Sequence, residues 1–287
     1  MKTSVKTTKW DAELDTDVCD AQNNADLTIT LKLGFRQVNP AAGANTGTYN
    51  DYGKATSPSR DIQKWSDPSW KSWQENFCRS AQSFWNGKFW LLNNIGALPY
   101  DKKGTIYIPN IYCKFKLVGG DGNSGSHHHI IDVVRLAAHE KWFGSHWKLY
   151  DSKDTELVEK ATNSSGKAIM QRAHVHEIGH LLGLEHVDVG TAACPASGDT
   201  NASACYGTTD ASKYDVMGSG MTRHEWQAKP WIDAMIEIHK KLAPNPLYAP
   251  PPLKLLMNML TPYTAKMQRH YPRTTKEYED NKLILSR

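Results

Sequence analysis

The 287-residue chain has neither a long apolar run nor a strong excess of one charge. Without a run of about 18 apolar residues, we expect no transmembrane helix. The 34 basic and 30 acidic residues leave a net charge of +4, which is too balanced to predict a nucleic-acid partner. Residues 1–8 are polar and lack the apolar segment of a Sec-type signal peptide. Three alternatives remain: a leader that has been removed, another export route, or retention inside the cell.

Cysteine is scarce, and its five copies form no CxxC pair, which argues against a cysteine-based zinc site. Cys194 and Cys205 bracket a segment rich in Gly, Ala, Ser and Asn, and we predict a disulfide bond that closes this loop. Such a bond would fit an oxidising compartment. The alternative is five reduced, mostly buried thiols. The odd number leaves at least one thiol unpaired in a monomer, which is the oligomeric state that we favour.

Hydrophobic periodicity predicts an α+β fold. Apolar and polar residues alternate at 27–38, residues 130–136 form a β-branched run, and residues 70–85 carry apolar residues at helical spacing. The remaining predicted elements are strands at 88–92, within 104–118 and at 147–150, helices at 166–182 and 222–242, and loops at 39–68, 119–126 and 187–213.

A proline-rich segment suggests how the chain is divided. Residues 244–252 contain several prolines and are predicted to be an extended linker. We interpret residues 1–24 as an N-terminal extension and residues 25–243 as a catalytic domain. Residues 253–287 are then a C-terminal tail.

Residues 176–186 follow the pattern HExxHxxGxxH. Positions four apart share one face of a helix, so His176 and His180 can direct two imidazoles at one metal ion. Glu177 is close enough to reach a water molecule bound to that metal. Gly183 can adopt the positive φ that ends a helix, and the following turn returns His186 as a third ligand. Three ligands and one open position indicate a catalytic zinc site rather than a structural one.

Two neighbours of these ligands are alternative candidates. Glu185 could serve as the third ligand in place of His186, although His186 fits the spacing better. His174 lies two residues before His176 and therefore off its helical face, so we predict that it is not a ligand.

Four further candidates lie outside the main motif. The three histidines at residues 127–129 could bind a second metal, but we favour a loop that runs into a strand. The pairs His139–Glu140 and His224–Glu225 lack a second histidine four residues on, and we interpret them as surface groups. Asp188 either orients a ligand histidine or is simply exposed.

The motif and the later sequence Tyr-Asp-Val-Met-Gly at residues 214–218 resemble the metzincin clan of zinc endopeptidases. The resemblance implies that the three motif histidines bind zinc, that Glu177 is the general base and that Gly183 is the turn glycine. It implies that Met217 lies in a tight turn beneath the ligands. It also implies a twisted mixed sheet with helices, an active-site helix and a helical C-terminal half, with zinc in the cleft between. The match is strong over residues 166–221.

Two positions depart from the better-known subfamilies of this clan. Val187 follows the third histidine, where those subfamilies usually carry a characteristic polar residue or proline. Ser219 stands where astacins and serralysins carry a metal-binding tyrosine. The resemblance therefore assigns no subfamily. Tyr214, three residues before Met217, is interpreted as a packing residue.

The resemblance implies hydrolysis of peptide bonds in a protein or peptide substrate. Zinc acidifies a water molecule, and Glu177 accepts its proton and later passes it to the leaving amine. Substrates of the clan bind along an exposed edge strand, which we place between residues 130 and 150. The alternatives are a cell-wall peptide hydrolase or toxin-like effector that uses the same zinc site, and a non-catalytic binding module.

The expected compartment follows from the same interpretation. We expect secretion or delivery to an extracytoplasmic compartment, and for an effector we expect an inhibitor or immunity protein as a partner. No cysteine-switch motif precedes the predicted domain.

Overall fold

A computed structural model describes residues 1–18, 24–50, 54–93, 100–107, 109–141, 148–242 and 263–267. These residues form a mixed α+β fold with a mixed sheet, and four α-helices lie within the described ranges. None of the described helices has both the length and the apolar character needed to cross a membrane.

The elements are numbered in chain order. The strands are β1 Lys2–Lys6, β2 Asp11–Asp15, β3 Asn24–Val38, β4 Thr46–Asn50, β5 Ser59–Gln63, β6 Phe89–Asn93, β7 Tyr100–Lys102, β8 Thr105–Tyr107, β9 Asn110–Asp121, β10 His129–Val134, β11 Leu149–Asp151, β12 Val158–Thr162, β13 Ala168–Gln171 and β14 Tyr263–Met267. The α-helices are α1 Asp67–Trp85, α2 Ala173–Leu182, α3 Asp210–Tyr214 and α4 Lys229–Leu242. Two 3-10 turns cover Ser203–Tyr206 and Glu225–Ala228.

Eight strands form one sheet in which β1-β2-β3-β9-β6-β14 are neighbours in that order. β10 pairs in parallel with both β3 and β11, whereas β1–β2, β2–β3, β6–β9 and β6–β14 are antiparallel. The sheet is therefore mixed. Three separate hairpins are formed by β4–β5, β7–β8 and β12–β13.

The chain divides into two compact units, each assembled from several segments. The first unit comprises residues 1–31, 85–116 and 224–287. Its core contains Leu14, Leu27 and Trp90, which are almost fully buried. α4 packs within the same unit, where the rings of Phe89 and Trp231 lie with their centroids 5.5 Å apart.

The second unit comprises residues 32–84 and 117–223. An aromatic cluster forms part of its core, because the apolar face of α1 meets the second half of β3. Phe77 of α1 lies 5.2 Å from the ring of Phe35 and 5.5 Å from that of Tyr150. Phe77 also lies 5.0 Å from the ring of His174 in α2, so α1 supports the helix that carries the motif.

The predicted extension at residues 1–24 contributes β1 and β2, and β2 pairs with β3 over five residues. Both strands are five residues long and rich in charged residues, so apolar and polar residues alternate only weakly in the sequence. In the structure, the alternation appears as alternating burial along β2. The predicted loop at 39–68 likewise contains the hairpin of β4 and β5.

The predicted helix at 166–182 is shorter than expected. β13 occupies Ala168–Gln171 and pairs with β12, and α2 begins only at Ala173. The reason is a tight turn in which Gly166 adopts φ 78° and donates its N–H to the Asn163 carbonyl at 3.0 Å. The predicted helix at 222–242 is also shorter than expected: a 3-10 turn covers Glu225–Ala228, and α4 begins at Lys229.

Several predictions fall wholly or partly on residues outside the described ranges. The linker at 244–252 and most of the tail at 253–287 lie outside the described residues, as does Cys19. Within the tail, β14 pairs with β6 in an antiparallel register.

Candidate metal centre

α2 carries the first two histidines of the motif, and its end directs the third towards them. Gly183 closes the helix with φ 100° and ψ 18°, a left-handed conformation that favours glycine. Its N–H donates to the His180 carbonyl, and the Leu184 N–H donates to the Gly179 carbonyl, both at 2.9 Å. The cap ends α2 three residues before His186 and turns the chain back towards the other two histidines.

The three motif histidines converge through their Nε2 atoms. His180 Nε2 lies 3.0 Å from His176 Nε2 and 3.0 Å from His186 Nε2. Tetrahedral coordination with metal–nitrogen bonds of about 2.0–2.1 Å places neighbouring ligand atoms about 3.3 Å apart. The observed separations are therefore close to those that one small metal ion requires.

The opposite nitrogen of each ring faces a backbone carbonyl. His176 Nδ1 lies 2.7 Å from the Val216 oxygen, His180 Nδ1 lies 2.8 Å from the Leu184 oxygen, and His186 Nδ1 lies 2.7 Å from the Thr200 oxygen. A carbonyl oxygen only accepts, so each Nδ1 must carry the proton. In a neutral imidazole each Nε2 then presents a lone pair, and three lone pairs point at one place.

The surroundings also keep these imidazoles neutral. Burial, with the neighbouring imidazoles, lowers the pKa of His176 well below its usual value of 6.5. Burial lowers the pKa of His180 and brings that of His186 to about 4. Near neutral pH all three rings are therefore free of the second proton that would block coordination. The buried His176–His180–His186 group could hold a metal ion.

Met217 lies in a turn whose backbone contacts the site at two points. The Val216 carbonyl accepts from His176, and the Met217 carbonyl accepts from the Val187 N–H at 3.1 Å, next to the third histidine. The Met217 side chain is fully buried, and its own N–H donates to Asp215 Oδ1 at 2.6 Å. The turn therefore connects both ends of the motif.

Gln171 is a site residue that sequence reasoning missed. Its buried side-chain amide donates to the carbonyls of Val216, Gly218 and Gly220 at 3.2, 2.9 and 3.2 Å. It therefore fastens β13 to the methionine turn. The only signal of this role in the sequence is a polar residue that follows three apolar residues just before the motif.

The predicted disulfide between Cys194 and Cys205 is present, and it closes the loop that holds the third histidine. Thr200, whose carbonyl accepts from His186, lies inside this loop. Asp188 does not contact a ligand histidine. Instead its Oδ2 accepts from the Thr208 N–H and hydroxyl at 2.7 and 2.8 Å, which ties the loop to the segment that follows it.

Tyr206, next to the disulfide, is a second residue that the sequence did not reveal. Its ring centroid lies 3.9 Å from that of His186 and 5.8 Å from that of His176. Burial, together with the charge of Glu177, raises its pKa to about 12. The phenol is therefore neutral, and its ring packs against two of the three imidazoles.

Glu177 is buried, at 6% relative exposure, and it follows the first histidine on α2. Burial is the main cause of the raised pKa values of Asp154 and Tyr206, and the charge of Glu177 contributes to both. Burial also lowers the pKa of Lys160 to about 8, against the opposing effect of Asp154 and Glu177.

Two candidates near the motif lie outside the histidine group. His174 is fully buried, its Nδ1 faces the Asp154 carbonyl at 2.9 Å and its Nε2 contacts Ser80 Oγ at 2.7 Å. It therefore joins α2 to α1. Glu185 is exposed and is not one of the grouped ligand atoms.

The more distant candidates belong to loops and surfaces. His127 Nε2 contacts the carbonyls of Asp121 and Ser124, and His128 Nδ1 accepts from the Lys32 N–H. His224 and Glu225 are exposed at the start of a 3-10 turn.

His139 and Glu140 do join Asp61 in a second group with ligand-type atoms. His139 Nε2 lies 3.0 Å from Asp61 Oδ2, and Glu140 Oε1 accepts from the Asp61 N–H at 2.8 Å. Glu140 also pairs with Arg60 at 3.6 Å. Because this arrangement is largely exposed and already contains a cation, it is an ordinary surface network.

Tyr214 accepts a hydrogen bond from Asn163 Nδ2 at 3.3 Å through its hydroxyl oxygen. The contact joins α3 to the turn between β12 and β13.

Comparison with models of protein families, with curated proteins and with solved structures finds no match to this chain.

Proposed function

We propose that the chain is a zinc-dependent endopeptidase of metzincin type. One observation carries this proposal: the Nε2 atoms of His176 and His186 each lie 3.0 Å from that of His180, and the buried Glu177 directly follows His176. The HExxHxxGxxH pattern and the methionine turn support the assignment to this clan. Three imidazole ligands with an open fourth position are typical of catalytic rather than structural zinc.

Different residues of the chain would orient the ligands and transfer the proton. The carbonyls of Val216, Leu184 and Thr200 hold the Nδ1 protons, so the three rings stay oriented as neutral donors. When bound, zinc acidifies a water molecule and polarises the scissile carbonyl. A carboxylate oxygen of Glu177 accepts the proton as the water attacks. Glu177 then passes that proton to the nitrogen of the leaving amine, which completes hydrolysis of the peptide bond.

The test combines metal analysis with a cleavage assay. Purified protein is loaded with zinc, freed of excess metal, and incubated with a denatured protein substrate with and without a chelator. Glu177→Gln keeps the size of the side chain but removes the base, and general-base catalysis is worth about 10²- to 10⁴-fold. We expect this variant to bind zinc at one equivalent and to lose activity by that factor.

Glu185→Gln is the matched control, because Glu185 belongs to the same motif but is exposed. We expect its activity to stay within about twofold of the wild type, as for other surface substitutions. Full activity in Glu177→Gln, or in the metal-free protein, would contradict the proposal.

Other outcomes would move the proposal to a different substrate class. Zinc binding without protein cleavage, but with release of peptides from purified cell walls, would indicate a cell-wall hydrolase. Zinc binding with neither activity would indicate a binding module.

The disulfide favours an oxidising compartment, so we place the activity outside the cytoplasm, where an effector would also meet an inhibitor or immunity protein.

A further inference from the structure

The second compact unit contains a cavity of about 410 Å³ whose lining is mainly polar. Its walls come from the second half of β3, the first turn of α1, β10 and the loop after β9. The lining residues do not include the three motif histidines or Glu177. Sites for small molecules usually measure about 300–1,000 Å³, so this cavity is large enough for one small organic ligand.

Arg36 and Asp132 form one wall of the cavity. They lie directly opposite each other on the parallel strands β3 and β10. Arg36 donates through Nε to Asp132 Oδ1 at 2.8 Å and through Nη2 to Asp132 Oδ2 at 3.1 Å. In the part of the chain that the structure describes, these bonds use two of the five N–H groups of the guanidinium. The wall therefore presents further N–H donors next to the lone pairs of a carboxylate.

The loop after β9 forms a second wall. Gly122 donates its N–H to the Phe35 carbonyl at 2.9 Å, and a Cβ at Gly122 would lie only 3.0 Å from the carbonyl carbon of Phe35, so glycine permits this close approach to β3. Asp121 Oδ1 accepts from the backbone N–H and from the side-chain amide of Asn123, both at 3.0 Å. This wall therefore places a second carboxylate beside a second N–H donor.

Two amides and an indole complete the lining. Asn39 Nδ2 donates to Gln37 Oε1 at 2.9 Å, and Asn39 Oδ1 accepts from the Trp65 N–H at 3.1 Å. Trp70 is half-buried and stacks on Trp73, with ring centroids 5.6 Å apart and an interplanar angle of 5°. Because contacts within the protein already hold these groups, a ligand would have to order little of the lining when it binds.

The charges of the lining disfavour ionic ligands. Asp121 and Asp132 carry two carboxylates, and Arg36 carries one guanidinium. An anion such as phosphate would approach two negative charges, and a metal cation would approach the positive one. A neutral molecule avoids both repulsions. The adjacent donors and acceptors therefore fit a neutral ligand rich in groups that both donate and accept hydrogen bonds.

We propose that this cavity binds a pyranose sugar, either a free saccharide or the end of a glycan chain. Each hydroxyl of a pyranose both donates and accepts, so two neighbouring hydroxyls match a carboxylate beside an N–H donor. The cavity offers two such combinations, Arg36 with Asp132 and Asn123 with Asp121. The C–H face of the sugar ring is apolar and packs against Trp70. The site shares no residue with the candidate metal centre, so the inference does not depend on the proposed peptidase function.

The first test is saturation-transfer NMR on the full-length protein. The probes are glucose, galactose, mannose and N-acetylglucosamine, each in competition with inorganic phosphate and with Ca²⁺. A ligand of about twelve non-hydrogen atoms with few apolar contacts is expected to bind with a Kd of about 1 mM. We expect at least one of the four sugars to bind in this range and neither ion to displace it.

Methyl glycosides of the bound sugar distinguish its two sources. A glycan end is attached through its anomeric oxygen, which a methyl group blocks in the same way. Equal affinity for the methyl glycoside and the free sugar supports a glycan end, whereas binding of the free sugar alone supports a free saccharide.

Three variants test the location of the site. Arg36→Met removes the donors of one wall, and Asn123→Ala removes the side-chain donor of the other. Asn45→Ala is the matched control, because Asn45 is an exposed asparagine outside the lining. The usual strength of hydrogen bonds predicts an affinity at least about tenfold lower for Arg36→Met, with its charged donor, and about fivefold lower for Asn123→Ala. We expect the control to stay within about twofold of the wild type.

The Tm of each variant shows whether the fold is kept, and Arg36 and Asn123 are both exposed enough for it to change little. No binding of any of the four sugars at about ten times the expected Kd would overturn the proposal. Wild-type affinity in both Arg36→Met and Asn123→Ala would overturn it as well. Displacement of the sugar by phosphate or Ca²⁺ would assign the cavity to an ion instead.

Discussion

The disulfide between Cys194 and Cys205 offers a sharp test of how the third histidine is held. The loop that it closes contains Thr200, whose carbonyl orients His186, and it ends beside Tyr206, whose ring packs on the same imidazole. Replacing both cysteines by serine leaves every ligand in the chain. It removes the covalent restraint on the loop.

The size of the effect follows from the length of the loop. The two cysteines are 11 residues apart, and closing a loop of this length corresponds to about 3 kcal/mol of restricted chain entropy. If the open loop must be ordered when zinc binds, this free energy is the largest cost that binding could incur, and it equals about a 100-fold loss of affinity. Losing the orientation of a ligand histidine typically costs 10- to 100-fold, about the same range.

The assay is a competition titration of zinc against a chromogenic chelator at pH 7. We expect the double variant Cys194→Ser/Cys205→Ser to bind zinc about 10- to 100-fold more weakly than the wild type, with an unchanged far-UV circular dichroism spectrum. Cys78→Ser is the control, because Cys78 is a free thiol. Equal zinc affinities for the double variant and the wild type would refute the idea that the loop positions His186.

Two further predictions concern buried polar residues. Gln171→Leu removes the donor to three carbonyls and should lower the free energy of unfolding by about 2–3 kcal/mol in urea titrations, whereas Met170→Leu, an exposed neighbour, should change it by less than about 0.5 kcal/mol. Equal stabilities of these two variants would contradict the role of Gln171. Burial lowers the pKa of His239 from 6.5 to about 4, so the unfolded chain takes up a proton below pH 6.5 while the folded protein does not. His239 should therefore lower the free energy of unfolding by about 3 kcal/mol as the pH falls from 6.5 to 4. His239→Gln should remove this contribution from the pH dependence of stability. The same pH dependence in the variant and the wild type would contradict the role of His239.

The motif residues were accessible to sequence reasoning because their arrangement is local. The four-residue spacing of His176 and His180, and a glycine that ends the helix, follow from helical geometry alone. The structure assembles the three histidines as this spacing predicts, and Gly183 adopts the expected positive φ. The disulfide could be predicted for a similar reason, since its two cysteines bracket a short loop.

The elements that the sequence did not predict depend on partners distant in the chain. β1 and β2 are short and rich in charged residues, and they become strands because β2 pairs with both β1 and β3. The motif helix was predicted too long because Ala168 and Ile169 fit the apolar side of a helix as well as a strand. Pairing with β12 decided between the two.

The sequence by itself therefore determined which side chains can coordinate a metal, since the helix repeat relates His176 to His180 and the turn after Gly183 returns His186. The tertiary structure decided how they are held. The acceptor for His176 comes from Val216, 40 residues away, and Gln171 reaches carbonyls up to 49 residues away. Backbone carbonyls carry no sequence signal of their own, so only the folded chain shows which of them orients each histidine.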